Sequence, residues 1–179
     1  MKNTAFILFL GLATSVLSQT QGSLAFSFTE VGKPASATYQ NLGKHVLAIW
    51  IQSDSGAFVK TLSRNVGNVT RDHLQAWAEN SGGPATNAIA PKCNVVSATT
   101  GATLASFGPR SVNWDGTDVN GVIVPDGTYK ISIEETWNHG ATNTVVRSFN
   151  FVKGPKIESQ TPATDANFDA INLVWSPAN

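Results

Sequence analysis

A single cysteine, Cys93, stands in the 179 residues, so no internal disulfide can form and no lipid-bearing cysteine lies near the amino terminus. Charge is also sparse. Lys plus Arg and Asp plus Glu each number 12, the formal net charge is +0, and charged residues make up 13% of the chain. With no basic stripe and no acidic tail, the electrostatic basis for binding nucleic acid or an anionic membrane surface is missing. Long apolar runs are missing too: the longest, residues 5–16, falls short of the roughly 20 residues that span a bilayer. It comes after Lys2 and leads into the compact Val16-Leu17-Ser18 before Gln19, which is the layout of a cleaved secretion signal over residues 1–18. The remainder, 19–179, is expected to form one domain in an extracytoplasmic, periplasmic setting.

Ser, Thr, Asn and Gly take the places that charges usually fill, and the periodicity is that of strands. Leu24-Ala25-Phe26-Ser27-Phe28 alternates, His45-Val46-Leu47-Ala48-Ile49-Trp50-Ile51 is compactly apolar, and Phe58-Val59-Lys60-Thr61-Leu62 alternates again after an Asp54-Ser55-Gly56 hairpin turn. Tyr129, Ile131 and Ile133 share one face of a strand that reaches Trp137, and residues 144–152 and 171–175 read as closing strands. One helix is expected where Leu74, Trp77 and Ala78 fall at i, i+3, i+4, capped by Asn68 or Thr70 and carrying His73 on an exposed face. The Gly-, Pro- and Asn-rich residues 81–91 then form a surface loop. The predicted fold is all-β: an Ig-like antiparallel β-sandwich with one short helix and long loops.

Two segments carry stronger local patterns. In Val112-Asn113-Trp114-Asp115-Gly116-Thr117-Asp118-Val119-Asn120-Gly121, continued to Pro125-Asp126-Gly127-Thr128-Tyr129, a strand ends in Trp114 and a series of Asp-Gly and Asn-Gly turns leads to the next strand. This string is similar to the Ig-like module of the flagellar hook-capping protein. Asp115, Asp118, Asn120 and Asp126 could be read as calcium ligands, but their spacing matches no calcium loop and each has a turn to form. The other segment, Ser97-Ala98-Thr99-Thr100-Gly101-Ala102-Thr103, is small, polar and centred on glycine, the form of a loop that can enter another enzyme's cleft. An ordinary turn has the same composition.

The segment from Ser97 resembles the short target on which periplasmic flavin transferases esterify FMN to a threonine hydroxyl. Taken with Trp50, the Asp54-Ser55-Gly56 hairpin, Leu74, Trp77, Trp114-Asp115-Gly116, Glu134 and His139-Gly140, it makes nearly the whole mature chain similar to the periplasmic family called domain of unknown function 2271. Members of that family tend to carry Asp-Ala-Val-Thr-Gly-Ala-Thr here, and Ser97 stands where the aspartate would be. The resemblance implies a cofactor, covalent FMN, on Thr103, with Ser97, Thr100, Gly101 and Ala102 as the recognition sequence. It also implies two partners, a flavin transferase and a membrane-bound PepSY-type reductase, and a role as an electron carrier without a substrate of its own. Trp50, Trp114 and Trp137 are candidate stacking faces for the flavin.

Alternatives stay open. A cofactor-free Ig-like binding or assembly module fits the same pattern, and His45 with His139 could in principle bind a metal, although the spacing of the histidines shows no ligand signature. Cys93 beside Lys92 reads as a small half-buried residue or a mildly activated thiol. The Asn68-Val69-Thr70 sequon has little meaning in a bacterial periplasm. No nucleophile, base and orienting group occur at recognisable spacing, so an independent hydrolytic enzyme is not expected.

Overall fold

The computed structural model describes residues 18–34, 43–67, 73–83, 93–138 and 144–178. Alternation of apolar and polar residues, broken by Gly- and Asp-containing turns, produces strands β1 (Gly22–Glu30), β2 (His45–Ser53) and β3 (Phe58–Asn65), a one-and-a-half-turn helix α1 (Gln75–Asn80), and strands β4 (Thr99–Gly101), β5 (Pro109–Trp114), β6 (Gly127–Trp137), β7 (Thr144–Lys153), β8 (Glu158–Gln160) and β9 (Phe168–Pro177). These form two sheets, ordered β5-β1-β9-β8 and β4-β3-β2-β6-β7. The sheets pack face to face as the expected all-β sandwich. Their pairings are antiparallel except that β4 runs parallel to β3.

The main core lies between the sheets. Leu24, Phe26 and Phe28 of β1 meet Leu47, Ile49 and Ile51 of β2, Ile131 and Ile133 of β6, Trp114 and Trp175. A second, smaller core lies on the outer face of the five-stranded sheet, where Val46, Ala48 and Trp50 receive Leu74, Trp77 and Ala78. Strand β2 is therefore buried on both faces, which explains its unbroken apolar run.

The helix differs from expectation at its start. It begins at Gln75, and Leu74 at its cap position makes no side-chain capping bond. Glu134 of β6 supplies the missing acceptors instead: the N–H groups of Ala76 and Trp77 donate to its two carboxylate oxygens at 3.2 and 2.8 Å. His73 precedes the helix with φ of 56° and is half-buried, so it is not the exposed helical residue predicted. Asn68, Thr70, His139, residues 1–17 and most of the 81–91 loop fall outside the described residues.

The Asp-rich turns after β5 are architecture. Asp115 accepts from the N–H and hydroxyl of Thr117, and Asp118 accepts from the N–H groups of Asn120 and Val122. Asp126 accepts from Thr20 and from the buried Lys153 ammonium at 2.8 Å. Burial works against ionising Asp126, but the hydrogen bonds from Lys153 and Thr20 outweigh it and hold the carboxyl well below the usual range. Among the described residues, no group of three or more His, Cys, Asp or Glu is placed to hold a metal ion.

Candidate functional site

The segment that ends in Thr103 forms an edge of the five-stranded sheet. A turn closed by the Ala98 N–H on the Val95 carbonyl brings the chain alongside β3, where Thr99, Thr100 and Gly101 pair with Ser63, Arg64 and Asn65. Sequence composition predicts a loop here. A strand forms because β3 would otherwise leave its outer N–H and C=O groups without partners. Three contacts continue the attachment: Val66 N–H donates to the Gly101 carbonyl at 2.8 Å, Gly67 N–H donates to the Thr103 hydroxyl oxygen at 2.7 Å, and Leu104 exchanges backbone hydrogen bonds with His45.

Ser97, Thr100, Gly101 and Ala102 are exposed, whereas Thr103 is half-buried. Ser97 has φ of 60°, the left-handed region that Asp and Asn tolerate better than most residues. Backbone conformation therefore gives a physical reason for an aspartate at this position, apart from any charge. Two glycines approach neighbouring side chains closely. A Cβ on Gly67 would lie 2.9 Å from Thr103 Oγ1, and one on Gly101 would lie 2.6 Å from Asn65 Nδ2. A hydroxyl has two lone pairs and one proton, so the Gly67 contact leaves Thr103 one lone pair and its proton for chemistry.

Beside the first residues of this edge the sandwich opens. A cleft of about 450 Å³ lies between β3 and β4 on one side and β1 and β5 on the other, with Ser97, Thr99, Lys60, Leu62, Asn113 and Trp114 among its walls. Lys60 donates to Thr117 Oγ1 at 2.7 Å and pairs with Asp115 at 3.3 Å. Burial of Asp115 is outweighed by its Thr117 hydrogen bonds and the Lys60 charge, which keep it ionised below the ordinary value.

A buried ionic cluster lies at the opposite end of the sandwich. Glu30, His45 and Glu135 each continue the core-facing side of their strand, after Phe28, before Leu47 and after Ile133 respectively. His45 Nδ1 contacts the Gly43 carbonyl at 2.7 Å, so this nitrogen carries a hydrogen, and Nε2 lies 2.9 Å from Glu30 Oε1. Arg110 Nε donates to the other oxygen of Glu30 at 2.8 Å. Phe107 stacks on His45 with ring centres 4.3 Å apart. Lys33 sits 3.3 Å from Glu135 Oε1, donates to the Val31 carbonyl and lies near the rings of Phe107 and Trp137. The Glu135 side chain is fully buried, and among the described residues neither of its oxygens accepts a well-formed hydrogen bond. Burial, reinforced by Glu30 and only partly offset by Lys33 and His45, pushes its pKa up to about 7.

The cluster fixes where the motif ends. His45 is tied to Glu30 by its side chain and to Leu104 by its backbone, so Thr103 is followed at once by an anchored residue. The sequence pattern singled out His45 but not its partners. A signal existed in the parity of β1, where Glu30 occupies the next inward position after Leu24, Phe26 and Phe28.

The tryptophans divide. Trp50 is buried against the helix, and only a small part of it reaches a surface pocket bordered by Gln52, Phe58 and Ala76. Trp114 is also buried, with its indole N–H donating to the Thr117 carbonyl, and it lines the cleft. Trp137 is half-buried, with the Lys33 ammonium 5.2 Å from its ring centre. Cys93 is half-buried with its sulfur 4.0 Å from the Ala78 carbonyl oxygen.

Residues 32–166, more than half of the chain, match a family model described as "Predicted periplasmic protein (DUF2271)". No curated protein and no solved structure matches the chain. No helix among the described residues is long and apolar enough to cross a membrane.

Proposed function

Because the chain belongs to the DUF2271 family of predicted periplasmic proteins, we propose that it is an electron carrier with FMN esterified to Thr103. In the attaching step the Thr103 hydroxyl oxygen forms a bond to the FMN-side phosphorus of FAD. The pyrophosphate bond breaks, AMP leaves, and the hydroxyl proton passes to a base of the separate flavin transferase. Once attached, the flavin supplies electron uptake and release, and a membrane-bound PepSY-type reductase is the proposed donor.

The observation that carries this reading is the geometry of the edge strand. Thr100, Gly101 and Ala102 lie exposed at the rim of the sheet, so a transferase can grip the backbone there. The Thr103 hydroxyl, held by Gly67 N–H at 2.7 Å, keeps a lone pair for attack. Covalent attachment also holds the flavin near its redox partners in a compartment where free flavin would diffuse away.

The test is the intact mass of the mature protein after periplasmic co-expression with a flavin transferase. A mass gain of one FMN less water is expected, with fluorescence that survives denaturation, and Thr103→Val should abolish both. An unmodified wild-type chain, under conditions that label an established target, would overturn the reading. That result would favour the second one, a cofactor-free binding module, for which exposed Val146 and Val152 on the outer strand β7 offer a surface.

A further inference from the structure

We infer that the cleft beside Ser97 and Thr99 is the seat of the isoalloxazine ring; this rests on the reading of Thr103 as the attachment site. Strand register supports the reach. Thr99 pairs with Ser63, Gly101 pairs with Asn65, and Thr103 lies at Gly67, so the motif runs along β3 from the cleft to the attachment hydroxyl. The three strand residues Thr99–Gly101 and the bend at Ala102 carry the chain over at most roughly 13 Å. An extended ribityl phosphate chain with its ring spans a comparable length, which allows the phosphate to sit on Thr103 while the ring lies back along the exposed edge.

The walls of the cleft select the chemistry of the occupant. At about 450 Å³ it is within the range of small-molecule sites, which run from about 300 to 1,000 Å³. Leu62 and Trp114, both buried, line its apolar part, which suits the dimethylbenzene end of a flavin. Ser23 and Thr99 supply hydroxyl groups, which both donate and accept. The pyrimidine end of the ring presents the matching pattern, an N–H flanked by two carbonyls. Lys60 and Asp115 form an ion pair at 3.3 Å, so this charged pair in the wall cancels. A net-neutral, half-apolar slot suits a neutral heteroaromatic ring better than a free anion or cation.

Asn113 is exposed on the edge strand β5, so enlarging it narrows the slot without entering the core. The experiment uses mature protein co-expressed with a flavin transferase and compares wild type, Asn113→Phe and Asn113→Ala. Intact mass reports attachment; flavin fluorescence anisotropy and visible circular dichroism report seating. Attachment should be equal in all three. In Asn113→Phe the anisotropy should fall by roughly a factor of two as the ring gains fast local motion, and the induced dichroism should vanish. Asn113→Ala should keep both signals. An attached wild-type flavin with low anisotropy and no dichroism, or an Asn113→Phe protein that matches wild type, would overturn the seat while leaving attachment standing. Absence of the mass gain in wild type would overturn attachment and the seat together.

Discussion

Replacing Glu135 with Gln should make the protein less sensitive to pH, in a direction fixed by burial. The carboxyl is fully buried, without a well-formed hydrogen bond among the described residues, and its pKa rises from 4.5 to about 7. An acid whose pKa is raised by folding binds its proton more tightly in the folded state. Its contribution is complete below pH 4.5 and is lost as pH rises through 7. At about 1.4 kcal/mol for each tenfold change in proton affinity, the loss is about 3 kcal/mol. The glutamine amide would keep the volume and still offer Lys33 an acceptor, but it has no proton to lose. Glu30, Lys33, His45 and Arg110 are present in both proteins, so subtraction removes most of their own pH dependence. Unfolding in urea from pH 4.5 to 8 measures the difference directly. Wild type should lose about 3 kcal/mol relative to Glu135→Gln across that range, mostly between pH 5 and 7. A flat difference would refute the argument that burial dominates. A wild type that gains stability with rising pH would show that the Lys33 ion pair outweighs desolvation.

Two further substitutions probe the frame around the site. Glu134→Ala should cost about 2 kcal/mol, because the N–H groups of Ala76 and Trp77 lose a charged acceptor, and the loss should appear in the urea midpoint and in the emission of the buried Trp77. Asp126→Asn should cost about 3 kcal/mol by leaving the fully buried Lys153 ammonium without a counter-charge. Since folding lowers the pKa of Asp126, its contribution is complete at neutral pH and declines as pH falls below 3.8. The gap in melting temperature between Asp126→Asn and wild type should therefore shrink only in strong acid.

Most strands are legible because period-two alternation and turn chemistry act over a few residues. Leu24, Phe26 and Phe28 announce β1, and Asp54-Ser55-Gly56 announces the turn between β2 and β3. Features that depend on distant partners are not legible in this way. Thr99 to Gly101 has the composition of a loop and becomes a strand only because β3 offers an unpaired edge. Helix α1 carries no capping side chain of its own, and no local rule reveals that Glu134, more than fifty residues onward, takes that role. The adjacent acids Glu134 and Glu135 show the limit well. Alternation puts them on opposite faces of β6, one towards the helix and one towards the core, but only the packed structure shows that the first meets two backbone donors and the second the Lys33 ammonium at 3.3 Å.

The ordered edge changes what attachment at Thr103 would mean. A threonine on a loose stalk would leave a flavin sampling many distances from its partners, and the protein would contribute little beyond local concentration. Here Thr103 lies between a residue tied to β3 through Gly101 and one tied to β2 through Leu104, and Gly67 N–H fixes its hydroxyl. His45, which holds Leu104, is itself locked by Glu30 and Arg110 in the buried cluster. Thr103 is thus built into the sandwich at both ends. A flavin held there, with the cleft as its resting place, would present itself to a partner in one orientation, and the rigid β-frame would serve to fix that orientation.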